Sequence, residues 1–153
     1  MSLDRADLIR GLKAVVTLLR ERGEPAGIRI IGGAALSLRY FERRTTEDVD
    51  AKVHPPESTL EVTAEIATAN GWPSDWLNTK ADHFIPTSKD VGWESLYVDG
   101  AVSIWVASAP ALLAMKLRAR CCLTRPCACS TRSSRRDCPT FPRNHHGPIS
   151  GET

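Results

Sequence analysis

Apolar residues recur at helical spacing in the first segment of the chain. Asp4 can accept hydrogen bonds from the first turn of a helix, and Gly23 can end that helix in a left-handed conformation. The pattern therefore predicts an amphipathic helix over Asp4–Arg22. Its apolar positions, which define one face, are Leu8, Leu12, Val15, Val16 and Leu19.

Two short β-branched runs follow, with a pair of glycines between them. Residues Gly27–Ile31 read "GIRII" and residues Asp48–Val53 read "DVDAKV". Both runs are typical of strands, and Pro55-Pro56 stops the second one. Gly32-Gly33 marks a turn, and Ala34–Tyr40 is typical of a helix. The order is strand, glycine turn, helix, strand.

The residues that cap helices and form turns predict the next three elements, a helix, a β-hairpin and a second helix. Residues Glu57–Asn70 form a helical pattern that Gly71 closes. The runs "WESLYV" and "AVSIWV" flank Asp99-Gly100, a dipeptide favoured in two-residue type I′ hairpin turns. Ser108 is a suitable N-cap for a helix with Pro110 in its first turn, and this helix continues through "ALLAMKLRAR".

The pattern ends near Arg120. Residues 121–153 have four prolines, no apolar period and all five cysteines of the chain. They carry five arginines against Asp137 and Glu152, a net charge of +3, whereas the preceding 15 basic and 16 acidic residues sum to −1. Such a segment buries too little apolar surface to fold alone, so we predict a disordered tail. Its Arg, Pro, Cys and Ser content after a helix without a stop signal suggests a reading-frame shift near codon 120.

Length and composition narrow the function classes. With 153 residues the chain has room for one folded domain, predicted over residues 1–120, with the tail over 121–153. No run approaches 18 apolar residues, and the first ten residues include acids where a signal peptide has an apolar core. We therefore expect a cytoplasmic protein without a membrane partner. The body has no excess of basic residues that would indicate nucleic-acid binding.

The second predicted strand carries two carboxylates. Side chains alternate along a strand, so Asp48 and Asp50 point to the same side, roughly 7 Å apart from a rise of about 3.3 Å per residue. Two carboxylates at that separation can hold Mg²⁺ together with phosphate oxygens. Gly32-Gly33 offers backbone N–H groups and a helix N terminus to a phosphate. Either motif alone is common in loops and solvated strand ends, but together they predict phosphoryl chemistry on a nucleotide.

The stretch "GGAALSLRYFERRTTEDVD" resembles the signature G-G-x-A-L-x-L … R-x-T-x-D-[IV]-D of the AbiEii-type and minimal nucleotidyltransferase families, within the polymerase-β-like superfamily. Arg44, Thr46, Asp48 and Asp50 match it position by position. Residues 71–86 resemble the segment "GLPxDWLN...F.P" of a bacterial subgroup. Residues 112–119 resemble a late helix with a lysine corresponding to Lys116. The resemblance covers residues 5–120.

This resemblance implies a nucleotidyltransferase fold, an α/β (α+β) domain with a small mixed sheet flanked by helices. It also implies transfer of a nucleoside monophosphate from an NTP to a hydroxyl of RNA, such as tRNA, or of protein. Asp48 and Asp50 would bind Mg²⁺, Gly32, Gly33, Arg44 and Thr46 would form the nucleotide-binding part, and Lys116 would contact the triphosphate. The setting implied is a bacterial toxin–antitoxin or phage-defence system, with a cognate partner protein.

Two features depart from the family pattern. Related proteins have a third carboxylate on a nearby strand as the base for the acceptor proton, but "AVSIWV" contains no acid. The stretch R-D-x-x-D that usually follows the lysine helix is also missing from this chain. A second hypothesis is therefore a catalytically degenerate module that binds a nucleotide or a partner protein. The cysteines lack the C-x-x-C spacing of structural zinc sites.

Overall fold

The computed structural model describes residues 2–41, 45–85 and 92–124, with side chains as far as Arg120. It contains four α-helices, a 3₁₀ helix and five strands within these ranges. The helices are α1 (Arg5–Arg22), α2 (Gly32–Arg39), α3 (Pro56–Asn70) and α4 (Ala109–Thr124), and the strands are β1 (Ala26–Ile30), β2 (Val49–His54), β3 (Leu77–Asn78), β4 (Trp93–Asp99) and β5 (Val102–Ala107).

The strands form one mixed sheet in the order β3-β2-β1-β5-β4. β1 pairs antiparallel with β2 and parallel with β5, β2 pairs parallel with β3, and β4 and β5 form an antiparallel hairpin. The predicted return of the second strand beside the first is therefore confirmed. The α/β class with a small mixed sheet flanked by helices is also confirmed.

Helices α1, α2 and α3 pack on one face of the sheet. Alternate residues of β1, β2 and β5 are buried on that face, and they join the apolar side of α1 in one hydrophobic core. Trp76 is fully buried in this core, where its indole N–H donates to the carbonyl of Thr63 at 2.9 Å. The helices thus cover one face and hold the strands in fixed register.

Several predicted boundaries move by one or two residues. Helix α2 begins at Gly32 rather than Ala34, β2 begins at Val49 rather than Asp48, and β3 was not predicted. In the hairpin, Asp99 still pairs with Val102, so the two loop residues are Gly100 and Ala101 rather than Asp99 and Gly100. Gly100 has a φ of 55°, and a primed two-residue turn needs such a positive φ.

Helix α4 begins where the sequence predicts it. Ser108 caps its first turn, since its hydroxyl accepts from the backbone N–H of Ala111 at 3.4 Å. The helix continues to Thr124, four residues beyond the expected domain boundary at Arg120. The rest of the predicted tail, residues 125–153, lies outside the described part of the chain. No helix among the described residues is both long and apolar enough to cross a membrane.

Candidate functional site

The glycines and the aspartates line one cleft at the end of the sheet. The cleft has a volume of about 520 Å³ and lies between the start of α2, the loop before β2, the 3₁₀ helix Asp82–Phe84 and α4. Six of the seven predicted site residues line it, namely Gly32, Gly33, Thr46, Asp48, Asp50 and Lys116. The seventh, Arg44, lies outside the described residues. The sequence motifs, which span 85 positions from Gly32 to Lys116, therefore meet in space.

Gly32 is required by the carboxylate beside it. Its φ is +66°, which side chains rarely adopt, and a Cβ atom there would lie 3.0 Å from Oδ2 of Asp50. Its neighbour Gly33 has the same need for space, because a Cβ there would lie 2.9 Å from Oγ1 of Thr46. The glycine pair thus lets the backbone at the start of α2 come close to Asp50 and Thr46, which both line the cleft.

The N terminus of α2 opens into this cleft without a side-chain cap. Its N-cap residue is Ile31, whose apolar side chain makes no capping hydrogen bond. The first N–H groups of a helix have no acceptor within the helix and carry the positive end of its dipole. An anion such as phosphate would satisfy these donors.

Asp48 lies just before β2 and is held by a residue that the sequence analysis did not assign to the site. Asn78 of β3 donates from Nδ2 to Oδ2 of Asp48 at 2.9 Å, and its own Oδ1 accepts from the backbone N–H of Lys80 at 2.9 Å. Asn78 is only 6% exposed. The "DWLN" segment containing Asn78 resembled the family, but only the parallel pairing of β3 with β2 shows its contact with Asp48.

Asp50 is half-buried and has an unfavourable charge environment. Burial raises its pKa, and the negative charge of Asp48 raises it further, whereas Lys80 has a smaller lowering effect. Lys80 itself is exposed and forms an ion pair with Asp75 at 2.6 Å. The charged form of Asp50 is thus disfavoured in the free protein, and a cation between the two aspartates would relieve this repulsion.

The loop that carries Thr46 is anchored to the N-terminal segment. Leu3 and Thr46 exchange two backbone hydrogen bonds, at 2.7 and 3.0 Å, and the side chain of Leu3 is buried. The hydroxyl of Thr46 donates to the backbone carbonyl of Asp48 at 3.0 Å. Thr46 therefore orients the loop before Asp48 from two directions, which is a structural role.

Lys116 lines the cleft from α4, whereas the two glycines line it from the start of α2. Leu112 and Met115 of α4 are buried and line the cleft with it, whereas the Lys116 side chain is exposed. None of the ion pairs between described residues includes Lys116, so its charge can meet an anionic ligand. On the same helix, Leu113 and Leu117 are exposed by 61% and 50%.

The residues present fit one mode of Mg²⁺ binding. Mg²⁺ is usually held by one or two carboxylates and completes its shell with water and substrate phosphates, so Asp48 and Asp50 are sufficient donors beside a phosphate site. Within residues 2–41, 45–85 and 92–120, no group of three or more His, Cys, Asp or Glu side chains has the arrangement of a metal site. A cation here would therefore depend on the phosphate ligand.

The register of the sheet shows which side chains of β5 lie on the same face as Asp50. Arg29 pairs with both Lys52 and Trp105, so the side chains of these residues share the sheet face of Asp50. The residues of β5 on this face are uncharged: Ser103, Trp105 and Ala107. No described residue of β5 therefore places a base beside the two aspartates.

A second cavity among the described residues has a different character. It has a volume of about 480 Å³ and lies between α1 and the β4–β5 hairpin. Its lining is mostly aliphatic, with Lys13 and Arg20 near it but no carboxylate. The cleft with the aspartates is therefore the candidate for chemistry.

No protein-family model, curated protein or solved structure matches this chain.

Proposed function

We propose that this protein is a nucleotidyltransferase that transfers a nucleoside monophosphate from an NTP to a hydroxyl group of RNA, such as tRNA, or of protein. The observation that carries the proposal is the single cleft in which Gly32, Gly33, Asp48, Asp50 and Lys116 meet. The proposal includes the nucleotidyltransferase fold, and the mixed sheet with a helix starting directly after β1 supports it. It also includes a cytoplasmic toxin–antitoxin or phage-defence setting with a cognate partner protein.

Each group in the cleft has a distinct part in binding. The backbone N–H groups at the start of α2 donate to phosphate oxygens, and Lys116 adds a positive charge from α4. Asp48 and Asp50 hold Mg²⁺, which supplies positive charge to the triphosphate when bound. Asn78 fixes the orientation of Asp48 through its hydrogen bond, and Thr46 fixes the loop before it.

The transfer consists of one displacement at phosphorus. The acceptor hydroxyl oxygen forms a bond to the α-phosphorus, the bond from this phosphorus to the bridging oxygen breaks, and pyrophosphate leaves with the electron pair. The hydroxyl proton passes to water, since β5 offers no carboxylate to receive it. Positioning and electrostatic stabilisation account for most of the catalysis in such reactions.

The test is labelling of a bacterial extract with the four NTPs, each carrying ³²P at the α-phosphate. The intact protein is expected to label RNA or protein in the presence of Mg²⁺, and the Asp48→Asn and Asp50→Asn variants are expected to lose this activity. Asp99→Asn is the matched control, because it makes the same carboxylate-to-amide change at the last residue of β4, which does not line the cleft. Equal labelling by the wild-type and both cleft variants would refute the proposed site.

A second function has one observation in its favour. The uncharged residues of β5 at Ser103, Trp105 and Ala107 favour a degenerate module that binds a nucleotide or a partner protein without transfer. This module would bind NTP in a Mg²⁺-dependent way and label neither RNA nor protein in the same extract. Turnover by the purified chain would exclude it.

A further inference from the structure

The sheet face opposite α1, α2 and α3 carries a row of cations and tryptophans. In register, Lys52 of β2 lies opposite Arg29 of β1, Arg29 lies beside Trp105 of β5, and Trp105 lies opposite Ser95 of β4. Lys52, Arg29 and Ser95 are exposed, and Trp105 is half-buried. This row, with Trp93 of β4, is called the cation–tryptophan face below.

The two cations on this face are unfavourably placed for the free protein. Like charges directly opposite each other on antiparallel strands repel. None of the ion pairs between described residues includes Arg29 or Lys52. Among the described residues, Arg29 interacts with one aromatic ring, that of Trp93, whose centroid lies 5.4 Å from the Arg29 Cζ atom. The positive charges of Arg29 and Lys52 are therefore available to an anionic ligand.

The indole rings give this face a second property. Trp93 packs against the edge of the hydrophobic core, but Trp105 is not part of that core as the described residues form it. Aromatic rings beside Lys and Arg on a sheet are the usual means of binding single-stranded nucleic acids, where bases stack on rings and phosphates meet cations. An acidic protein segment would contact the two cations, but it has no base to stack on the Trp105 ring. The face therefore fits a single-stranded nucleic acid better than an acidic protein segment.

The face is continuous with the cleft. Lys52 is two residues beyond Asp50 on β2, which corresponds to about 7 Å along the strand. Trp105 lies two strands away from Lys52, or about 10 Å across the sheet. The strand pairings show which residues of β1, β2, β4 and β5 lie on this face. Among these residues, Asp50 is the only one with a carboxylate. A single-stranded nucleic acid bound on Trp105 and Arg29 would have its end close to the aspartates.

We propose that the cation–tryptophan face binds single-stranded nucleic acid and presents its terminal hydroxyl to the cleft. The assignment of that hydroxyl as acceptor rests on the proposed function, whereas binding to the face does not. Bases stack on Trp105, and Arg29 and Lys52 contact successive phosphates. This selects nucleic acid over protein as the acceptor class.

The experiment measures binding of labelled ten-nucleotide single-stranded RNA and DNA to the full chain by fluorescence anisotropy, without NTP or Mg²⁺. The double variant Arg29→Gln/Lys52→Gln, which changes two exposed side chains, should lower the slope of log affinity against log salt by about 1.4, since each phosphate contact contributes about 0.7. Trp105→Leu should weaken binding about tenfold, and Trp105→Phe should retain most of it. Lys13→Gln on α1, outside this face, is the control and should bind as the wild-type does.

Tighter binding of RNA than of DNA would identify contacts to the 2′-hydroxyl and an RNA acceptor, and the reverse order would identify a DNA acceptor. The proposal is overturned if neither oligonucleotide binds, if the double variant binds with an unchanged salt slope, or if poly-glutamate competes better than either strand. Circular dichroism of each variant establishes that it is folded. Binding without any NMP transfer would contradict the proposed function alone, and transfer to RNA that is unaffected by the double variant would contradict this inference alone.

Discussion

Single residues set the properties of the cleft through close contacts. Gly32 and Gly33 allow the backbone of α2 to approach Asp50 and Thr46, and a methyl group at either position would come within 3.0 Å of these side chains. Asp50 in turn is disfavoured as a carboxylate by burial and by Asp48. The site therefore combines backbone N–H groups that can bind an anion with a pair of carboxylates that can bind a cation.

Gly32→Ala tests the backbone approach at the first of these contacts. The variant is expected to lose about 1–2 kcal/mol of unfolding free energy from the left-handed conformation, and further stability and Mg²⁺-dependent NTP affinity from the contact with Asp50. Gly23→Ala is a matched control, because Gly23 has a φ of +69° but no atom within 4 Å of its Cβ position. Chemical denaturation and calorimetric titration give the two quantities. Equal stability losses and unchanged NTP affinity in both variants would contradict a role for the Asp50 contact.

The pH dependence of stability tests the environment of Asp50. Its pKa is raised in the folded state, so its favourable contribution is fully present below the unfolded value of about 3.9 and is lost as pH rises through the folded pKa. Without metal, Asp50→Asn should therefore become more stable relative to the wild-type as pH rises. Excess Mg²⁺ together with NTP at neutral pH should reverse this order, since only the wild-type gains binding of the metal with the triphosphate. Thermal unfolding across pH measures both effects, and a difference independent of pH would contradict them.

At the scale of elements, the short and irregular segments orient the cleft residues that the longer helices and strands carry. The two-residue strand β3 brings Asn78 to Asp48, and an isolated bridge between Leu3 and Thr46 holds the loop before β2. Helix α4 closes the other side of the cleft with Leu112 and Met115. These segments are far apart in the chain, so their joint effect depends on the packing of the whole core.

Asn78→Ala tests the contribution of β3. Because Asn78 is buried and its amide orients Asp48, its removal is expected to weaken Mg²⁺ binding in the presence of NTP about tenfold or more. Asn70→Ala is the control, because Asn70 makes one comparable side-chain hydrogen bond, to the carbonyl of Ile66, on α3 outside the cleft. Both variants lose side-chain hydrogen bonding, so the stability loss is shared and only a difference in Mg²⁺ affinity is specific to the site. Matching affinities would show that Asn78 has a structural role alone.

At the scale of the molecule, the described residues form one core with the cleft at one end of its sheet. Every described residue that lines the cleft lies before residue 121, and the composition of the chain beyond α4 predicts a disordered tail. The exposed Leu113 and Leu117 on α4 agree with a helix that lacks a partner on its outer side among the described residues. The reading-frame hypothesis for the tail remains a prediction, which translation of the other two frames of the gene would test.

Limited proteolysis tests the tail prediction. Proteases should cleave first beyond α4, leaving a core that ends near Thr124 and binds NTP with unchanged affinity. The helix extends to Thr124, so cleavage at Arg120 should be slower than cleavage beyond residue 124. Mass spectrometry locates the cuts, and titration of the trimmed protein gives the affinity. A resistant tail, stoichiometric zinc or a large loss of affinity would show that the tail has a structural role.

The amino-acid sequence by itself determined the main elements and the chemistry of their ends. Periodicity located α1, α3, α4 and the hairpin, because helical and strand spacing follow from local geometry. Gly32-Gly33 and the two aspartates were recognisable because each motif is contiguous. The family resemblance linked them with Lys116, although no comparison with known proteins supports that family.

Only the tertiary structure decided which distant residues meet. Strand order and register depend on burial of the whole core, so the contact of Asn78 with Asp48 and the row of Lys52, Arg29 and Trp105 have no local signal in the sequence. The raised pKa of Asp50 likewise follows from its burial and from Asp48. Chain neighbours fix the backbone at each position, whereas long-range packing sets the distances and the electrostatic environment on which binding depends.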